Sequence, residues 1–375
     1  MDEPARLGGF LLTGNLLLLL WVILVITGIG AMQWGASRTA TALDAYRARA
    51  GLRGVVAGAL LGIATAAPEV SVNLASVAFG WPDLGLGAAL GSNVPALPLV
   101  FLLAWLSLRV AASSMGSNAL VDAPRPPSVG AAGPEEAPVP VVAPAAVEVQ
   151  ALPYLLIVLL LAALTLPPGW AGLQPLDGLL LAAAWGIYLA RALMRPYRPG
   201  EPDPEPQGEA SPAPGLGAKS GTAAGASIAR ATLLGIPAIA LGALASVIAR
   251  RRLGEAFGAS DLVVGLFVIG LLCALPESFA AWRLAREGKT TTAVSTAMAD
   301  GIVSLTVALV PPSLAGAAVG NTAVYLANLV FLAFVLLAYI ALNHVRWGQE
   351  FGLGRVSLFI GGYIVYLAAV AYLLV

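Results

Sequence analysis

Gly62-Ile63-Ala64-Thr65-Ala66-Ala67-Pro68-Glu69 and Gly270-Leu271-Leu272-Cys273-Ala274-Leu275-Pro276-Glu277 are the stretches on which the fold turns. They stand 208 residues apart (270 − 62), and at that offset Gly62, Ala66, Pro68 and Glu69 meet Gly270, Ala274, Pro276 and Glu277. Further along, Gly80 meets Gly288 and Ser92 meets Asp300. Each Pro-Glu falls inside a long apolar run. A carboxylate at mid-membrane costs about 2.5–3.5 kcal/mol on insertion scales for Asp, and such residues mark ion pathways. Either glutamate alone reads as well as a structural hydrogen-bonding group. The matched pair favours an internal duplication with a shared ion site.

Working outward, the composition is that of a membrane protein. Of 375 residues, 59% are hydrophobic and 11% charged, against about 25% charged in soluble domains. Runs of about 20 apolar residues span the hydrocarbon layer as helices. Ten are read here, over 12–34, 52–79, 84–108, 152–168, 174–194, 229–249, 259–285, 291–312, 320–342 and 356–375. Two polar segments rich in Pro, Ala and Ser, 112–151 and 196–226, read as flexible linkers, because they bury too little apolar surface to offset ordering. The predicted layout is 1–111 for helices one to three, 152–195 for helices four and five, and 227–375 for helices six to ten. Within it the repeats cover about 58–100 and about 266–309.

Orientation follows from Lys and Arg. With the N-terminus outside, sixteen of the 20 basic residues fall on inner loops and their flanks, among them Arg38, Arg47, Arg53, Arg109, Arg191, Arg283 and Arg355. The run Arg250-Arg251-Arg252 goes against this bias. Both termini are expected outside, in the inner membrane of a prokaryotic cell. Five crossings per half place the second half upside down relative to the first, so two halves of one fold are inverted repeats, as in many secondary transporters. The fold expected is therefore all-α, with about ten transmembrane helices in two inverted five-helix repeats.

The motif has a chemical rationale. Proline lacks an N–H and disturbs the turn before it, freeing carbonyl oxygens. A glutamate beside freed carbonyls offers hard oxygen ligands to Na⁺ or Ca²⁺. Two glutamates, one from each half, neutralise one divalent cation. No cationic partner for either is visible within the spans, so a bound cation or proton is expected to compensate them.

In these residues the chain resembles the calcium/cation antiporter superfamily, whose best-known members are sodium/calcium exchangers. That family carries two inverted repeats with Gly-Thr-Ser-Leu-Pro-Glu followed by Gly-Ser-Asn. Ala64-Thr65-Ala66-Ala67-Pro68-Glu69 and Gly91-Ser92-Asn93 answer to these in the first repeat. Leu272-Cys273-Ala274-Leu275-Pro276-Glu277 and Ala299-Asp300-Gly301 answer in the second. The resemblance implies cation exchange by alternating access, with Glu69 and Glu277 as shared ligands and Thr65, Ser92, Asn93, Asp300, Ser304 and Asn73 as candidate neighbours. The transported cations would be Ca²⁺, Na⁺ or H⁺, with no cofactor. Departures from the pattern are specific. Cys273 replaces the second threonine, Ala66 and Ala274 replace serines, and Ala96 and Ser304 replace Asn or Asp. Asp300 stands in place of a serine. A thiol is a poor ligand for a hard cation, and fewer neutral oxygens plus one more carboxyl group make H⁺ a rival to Na⁺ as counter-ion.

The remaining signals are weaker. Ser92 and Asn93 also suit close helix packing, and Asn73 suits a pairing with a neighbouring helix. Asp83 reads as solvated in an outer loop, His344 as interfacial, and Trp34, Trp81, Trp170 and Trp347 as interfacial aromatics. Cys273 is the one cysteine and His344 the one histidine. A disulfide framework within the chain and a Cys/His metal cluster are thereby excluded. A membrane-embedded enzyme needs aspartate-rich metal motifs, a catalytic histidine or an activated nucleophile, and none is evident. Zero formal net charge gives no pointer to nucleic acid. The partners expected are small cations and membrane lipid, with oligomeric state open. The alternative outside transport is a membrane sensor or scaffold that binds a cation without moving it.

Overall fold

The computed structural model describes residues 3–49, 59, 62–114, 147–167, 172–194, 221–258, 263, 266–267, 270–287, 290–344 and 352–374. Most of both expected linkers lies outside the described residues, as do Arg53, Trp170, Gly288 and Trp347. Helix already begins at Val147 and at Gly221, inside the stretches 112–151 and 196–226.

Among the described residues every regular element is a helix. They are α1 (Glu3–Arg49), α2 (Ala67–Ala78), α3 (Pro82–Ser114), α4 (Leu152–Thr165, entered through a π-helical turn), α5 (Pro175–Met194) and α6 (Gly221–Phe257). Then follow α7 (Gly270–Arg286), α8 (Thr290–Ser304), the short α9 (Val310–Ala315), α10 (Thr322–His344) and α11 (Leu353–Leu374). Eight helical stretches in the described residues are long and apolar enough to cross a membrane. With α2 and α7, which carry the two Pro-Glu pairs, they make up the ten predicted. The chain is an all-helical integral membrane protein.

Local chemistry sets the breaks. Residues 62–65 are helical, the chain turns at Ala66, and α2 starts with Pro68 in its first turn. Pro68 has no N–H, so the Ala64 carbonyl loses its helical partner. α2 stops at Gly80, whose φ of 75° is open to glycine at no cost. There Gly80 N–H donates to Val77 O at 2.9 Å and Trp81 N–H to Ser76 O at 2.8 Å, a Schellman cap. Gly316 closes α9 in the same way, with Gly316 N–H to Ser313 O and Ala317 N–H to Pro312 O.

Burial separates a centre from a rim. The apolar stretches within Pro82–Val110 and Thr290–Ala315 are 83% and 89% buried, against 17% for α1 and 22% for α11. Helices α3 and α8 therefore form the middle. The exposed Leu16, Leu20, Ile23, Leu179, Ile187 and Ile364 of α1, α5 and α11 face outward, where lipid is the natural solvent. Since lipid tails are as apolar as these side chains, association rests on close packing and interhelical hydrogen bonds. Phe101 stacks on Tyr339 at 5.7 Å and meets Phe359 at 4.7 Å. Tyr366 O–H donates to Asn328 Oδ1 and Tyr325 O–H to Thr165 Oγ1, both at 2.9 Å.

Helices α1 and α6 cross through glycines. A Cβ on Gly28 would come to 2.8 Å from Gly242 O, and one on Gly235 to 2.9 Å from Gly35 O. Numbers rise on one helix as they fall on the other, from 28/242 to 35/235, so the pair is antiparallel. The pairs also exchange under the repeat: 28 + 207 = 235 and 35 + 207 = 242, which carries Gly28/Gly242 onto Gly235/Gly35.

Loops that the charge bias assigns to one side do meet there. Asp83 Oδ1 accepts from Ala318 N–H at 2.7 Å, so Asp83 ties two halves together instead of lying free in solvent. Gly172 bridges to Ala318, and Arg251 lies over the Trp81 ring at 5.3 Å.

Candidate cation site

Glu69 lies in the first turn of α2 and Glu277 in the interior of α7, each directly after its proline. Asp300 lies on α8, which α2 and α7 both need at short range. A Cβ on Gly62 would overlap the backbone of Ala299 and Asp300, so the glycine of the first motif is what lets α8 approach. At the matching contact, Gly91 of α3 meets the Leu266 backbone of the second half with equal closeness, and 91 is the repeat mate of 299 (299 − 208).

The outcome is one carboxylate cluster. Glu69, Glu277 and Asp300 each offer an oxygen, and the three oxygens lie within 4.8 Å of one another. Glu69 and Asp300 are each 2% exposed, while Glu277 keeps partial exposure. Glu69 Oε2, Glu277 Oε1 and Asp300 Oδ1 are buried without a hydrogen-bond partner among the described residues. Ionised carboxylates at this spacing repel by about 3–4 kcal/mol per pair at an effective dielectric of about 20. Glu277 and Asp300 also lie within hydrogen-bonding reach of each other. Such a cluster calls for cations or protons between its members, and its all-oxygen donor set suits Na⁺ or Ca²⁺.

The neutral candidates divide. The Thr65 hydroxyl reaches the Asp300 carboxylate and also the Gly62 carbonyl at 3.1 Å, and with one proton it serves one at a time. Asn93 joins the edge of the cluster: its Oδ1 accepts from Tyr154 O–H, and both atoms crowd the space beside Gly301, the residue after Asp300. Ser92 is buried and donates to Ala89 O at 3.2 Å, within its own helix. Asn73 donates to Glu69 O at 2.9 Å, but its Oδ1 lies against Gly85 of α3, so its side chain packs on a neighbouring helix. Ser304, one turn past Asp300, is fully buried with Oγ unpartnered among the described residues.

Two further neighbours of the cluster escaped the sequence reading. Tyr154 of α4 lies within the electrostatic field of Asp300 and Glu277. Arg250 of α6 is 0% exposed, beside the Cys273 thiol and in the field of Glu69. This corrects the expectation that the spans hold no cationic partner for the glutamates. It also accounts for the arginine run: Arg250 points into the protein, while Arg251 and Arg252 pair with Glu255 at 3.0 and 3.1 Å.

Ten membrane-spanning stretches among the described residues, a duplicated Pro-Glu pair and a buried carboxylate cluster fed by both halves define an inverted-repeat membrane transporter. The family model for "Sodium/calcium exchanger protein" matches residues 19–194 and 226–372, so the chain belongs to the sodium/calcium exchanger family, a family of cation antiporters. No curated protein matches the chain. Solved structures of the sodium-calcium exchanger NCX_Mj share the fold. The form soaked with 2.5 mM Na⁺ and 10 mM Sr²⁺ matches with TM-score 0.58 and 18% identity, covering 94% of this chain and 99% of that one. The form soaked with 100 mM Na⁺ and 10 mM Sr²⁺ gives 0.59 and 18%, over 94% and 98%. The form soaked with zero Na⁺ and Ca²⁺ gives 0.56 and 17%, over 94% and 99%.

Proposed function

We propose that this chain is a secondary antiporter that exchanges Ca²⁺ for Na⁺ across the membrane by alternating access. Glu69 and Glu277 act as shared ligands, Asp300 and Thr65 as their neighbours, and the freed Ala64 carbonyl as a further oxygen. The supporting observation is the convergence of carboxylates from both halves within 4.8 Å of one another, buried inside a membrane fold. Family membership supports the same reading, as does the likeness to an exchanger whose structures were soaked with Na⁺, Ca²⁺ and Sr²⁺. The antiparallel pair α1 and α6, lying at the rim on glycine contacts, is the element that moves against the α2, α3, α7 and α8 core to open either side. Both termini lie outside, following the Lys and Arg bias.

A second reading takes H⁺ as the counter-ion. It is favoured by Cys273, which stands where the repeat has Thr65, and by Ala66 and Ala274, which stand where the family pattern has serines, leaving fewer neutral oxygens for Na⁺.

Ca²⁺ uptake into vesicles of purified protein, driven by an imposed Na⁺ gradient or pH gradient, tests both. Uptake that follows the Na⁺ gradient is expected. Uptake that follows the pH gradient alone selects the second reading. Saturable Ca²⁺ binding with no uptake under either gradient would point to a sensor and sink the transport reading.

A further inference from the structure

Arg250 is a buried cation that the exchange chemistry described above leaves unused. It sits one turn beyond Ser246 and Val247, both 0% exposed. Val247 packs in one apolar cluster with Val72, three residues after Glu69, and with Cys273, four residues before Glu277. The arginine is thereby carried to the place where the two Pro-Glu helices come together. Its Nε, Nη1 and Nη2 are all buried against the Cys273 thiol, a weak acceptor, with no carboxylate hydrogen bond among the described residues. A buried guanidinium with no ion pair is strongly unfavourable unless a negative field holds it. Arg250 lies in the field of Glu69.

The charge count is then definite. Three carboxylates carry −3 when ionised, and a guanidinium stays protonated in proteins. Together the four side chains hold −2. One divalent cation or two monovalent cations cancel this, whereas three carboxylates alone would take three monovalent cations. The location fits. Cys273 is the repeat mate of Thr65 (65 + 208), so the corner that lost a hydroxyl ligand is the corner beside which the guanidinium lies.

Resting on the exchanger reading above, we propose that Arg250 acts as a tethered counter-cation at the site. One divalent cation then exchanges for two monovalent ones, and the cycle moves no net charge.

The test is Ca²⁺ accumulation by the full chain in vesicles, with a fixed Na⁺ or pH gradient and the membrane potential set by a K⁺ ionophore. About 100 mV acting on one net charge changes the accumulation ratio about 50-fold. Wild-type protein is expected to show no such change, Arg250→Lys likewise, and Arg250→Gln the full change. A 50-fold response in wild-type protein, or potential-independent exchange by Arg250→Gln, overturns the role of Arg250 while leaving the exchanger standing. No gradient-driven accumulation at all removes both. If Arg250→Gln does not fold, the wild-type Na⁺ dependence decides: a Hill slope approaching two agrees, and one approaching three refutes.

Discussion

At the residue scale the decisive groups are three buried carboxyl groups whose closeness calls for cations or protons between them. Glu69→Gln and Glu277→Gln keep side-chain shape and remove a charge, so each is expected to lower exchange by more than about 100-fold. Flux assays in vesicles give the readout, and wild-type rates in both variants would exclude the site. Cys273→Thr restores the hydroxyl that Thr65 supplies in the first repeat. With one neutral oxygen contributing about 1–1.5 kcal/mol, the Na⁺ concentration for half-maximal exchange should fall about tenfold. Unchanged Na⁺ dependence would show that the thiol corner holds no monovalent ion. The acidic members of the site were legible in the sequence, because a carboxylate in an apolar run is conspicuous and the repeat shows it twice. Arg250 was not, since an arginine at the head of Arg250-Arg251-Arg252 looks like a span end in water. Its burial depends on which face of α6 turns inward, a matter settled by packing against α2 and α7. Tyr154 was hidden for a similar reason: only the fold brings α4 to Asn93.

At the element scale the break ahead of α2 and the crossing of α1 with α6 carry the most weight. The break at Pro68 could be read directly, because a missing N–H is a property of the residue, whereas α7 runs through Pro276 unbroken. The glycine crossing was not read, since it follows an offset of 207 while the acidic motifs follow 208 (270 − 62). A single search register loses one or the other. Gly242 faces the Gly28 carbonyl so closely that any side chain must push the helices apart. Gly242→Leu is expected to cost about 1–3 kcal/mol, the usual range for overpacking, and to slow exchange. Thermal unfolding in detergent provides the check. Gly30→Leu is the control, as nothing lies within 4 Å of the position its Cβ would take. Equal losses in the two variants would mean that the crossing is unimportant.

At the scale of the whole molecule, the topology expected from counting Lys and Arg puts certain loops on one side, and the fold brings those loops together. Loops assigned to one side touch each other: Asp83 with Ala318, Gly172 with Ala318, Arg251 with Trp81. Phe79, Phe257 and Leu314 are exposed near these loops. Cys273, the chain's one cysteine, is buried. Phe79→Cys, Phe257→Cys and Leu314→Cys should therefore react with a membrane-impermeant maleimide from a common side, and labelling of one of them from the opposite side would overturn the arrangement. Linker boundaries were the least legible part, because helix α6 extends back through a Gly- and Ala-rich stretch whose composition alone resembles a tether.

The glycine seam between α1 and α6 is interchangeable end for end. Swapping the halves of the molecule returns the same two grooves, so a slide toward either face of the bilayer meets like resistance. Such a rocker has no built-in idle position. A preference for resting open to one compartment then originates where the twofold fails: at Asp300, which answers to Ser92 (300 − 208), and at the corner holding Cys273 and Arg250, whose counterparts in the first half are Thr65 (273 − 208) and the uncharged Leu43 (250 − 207).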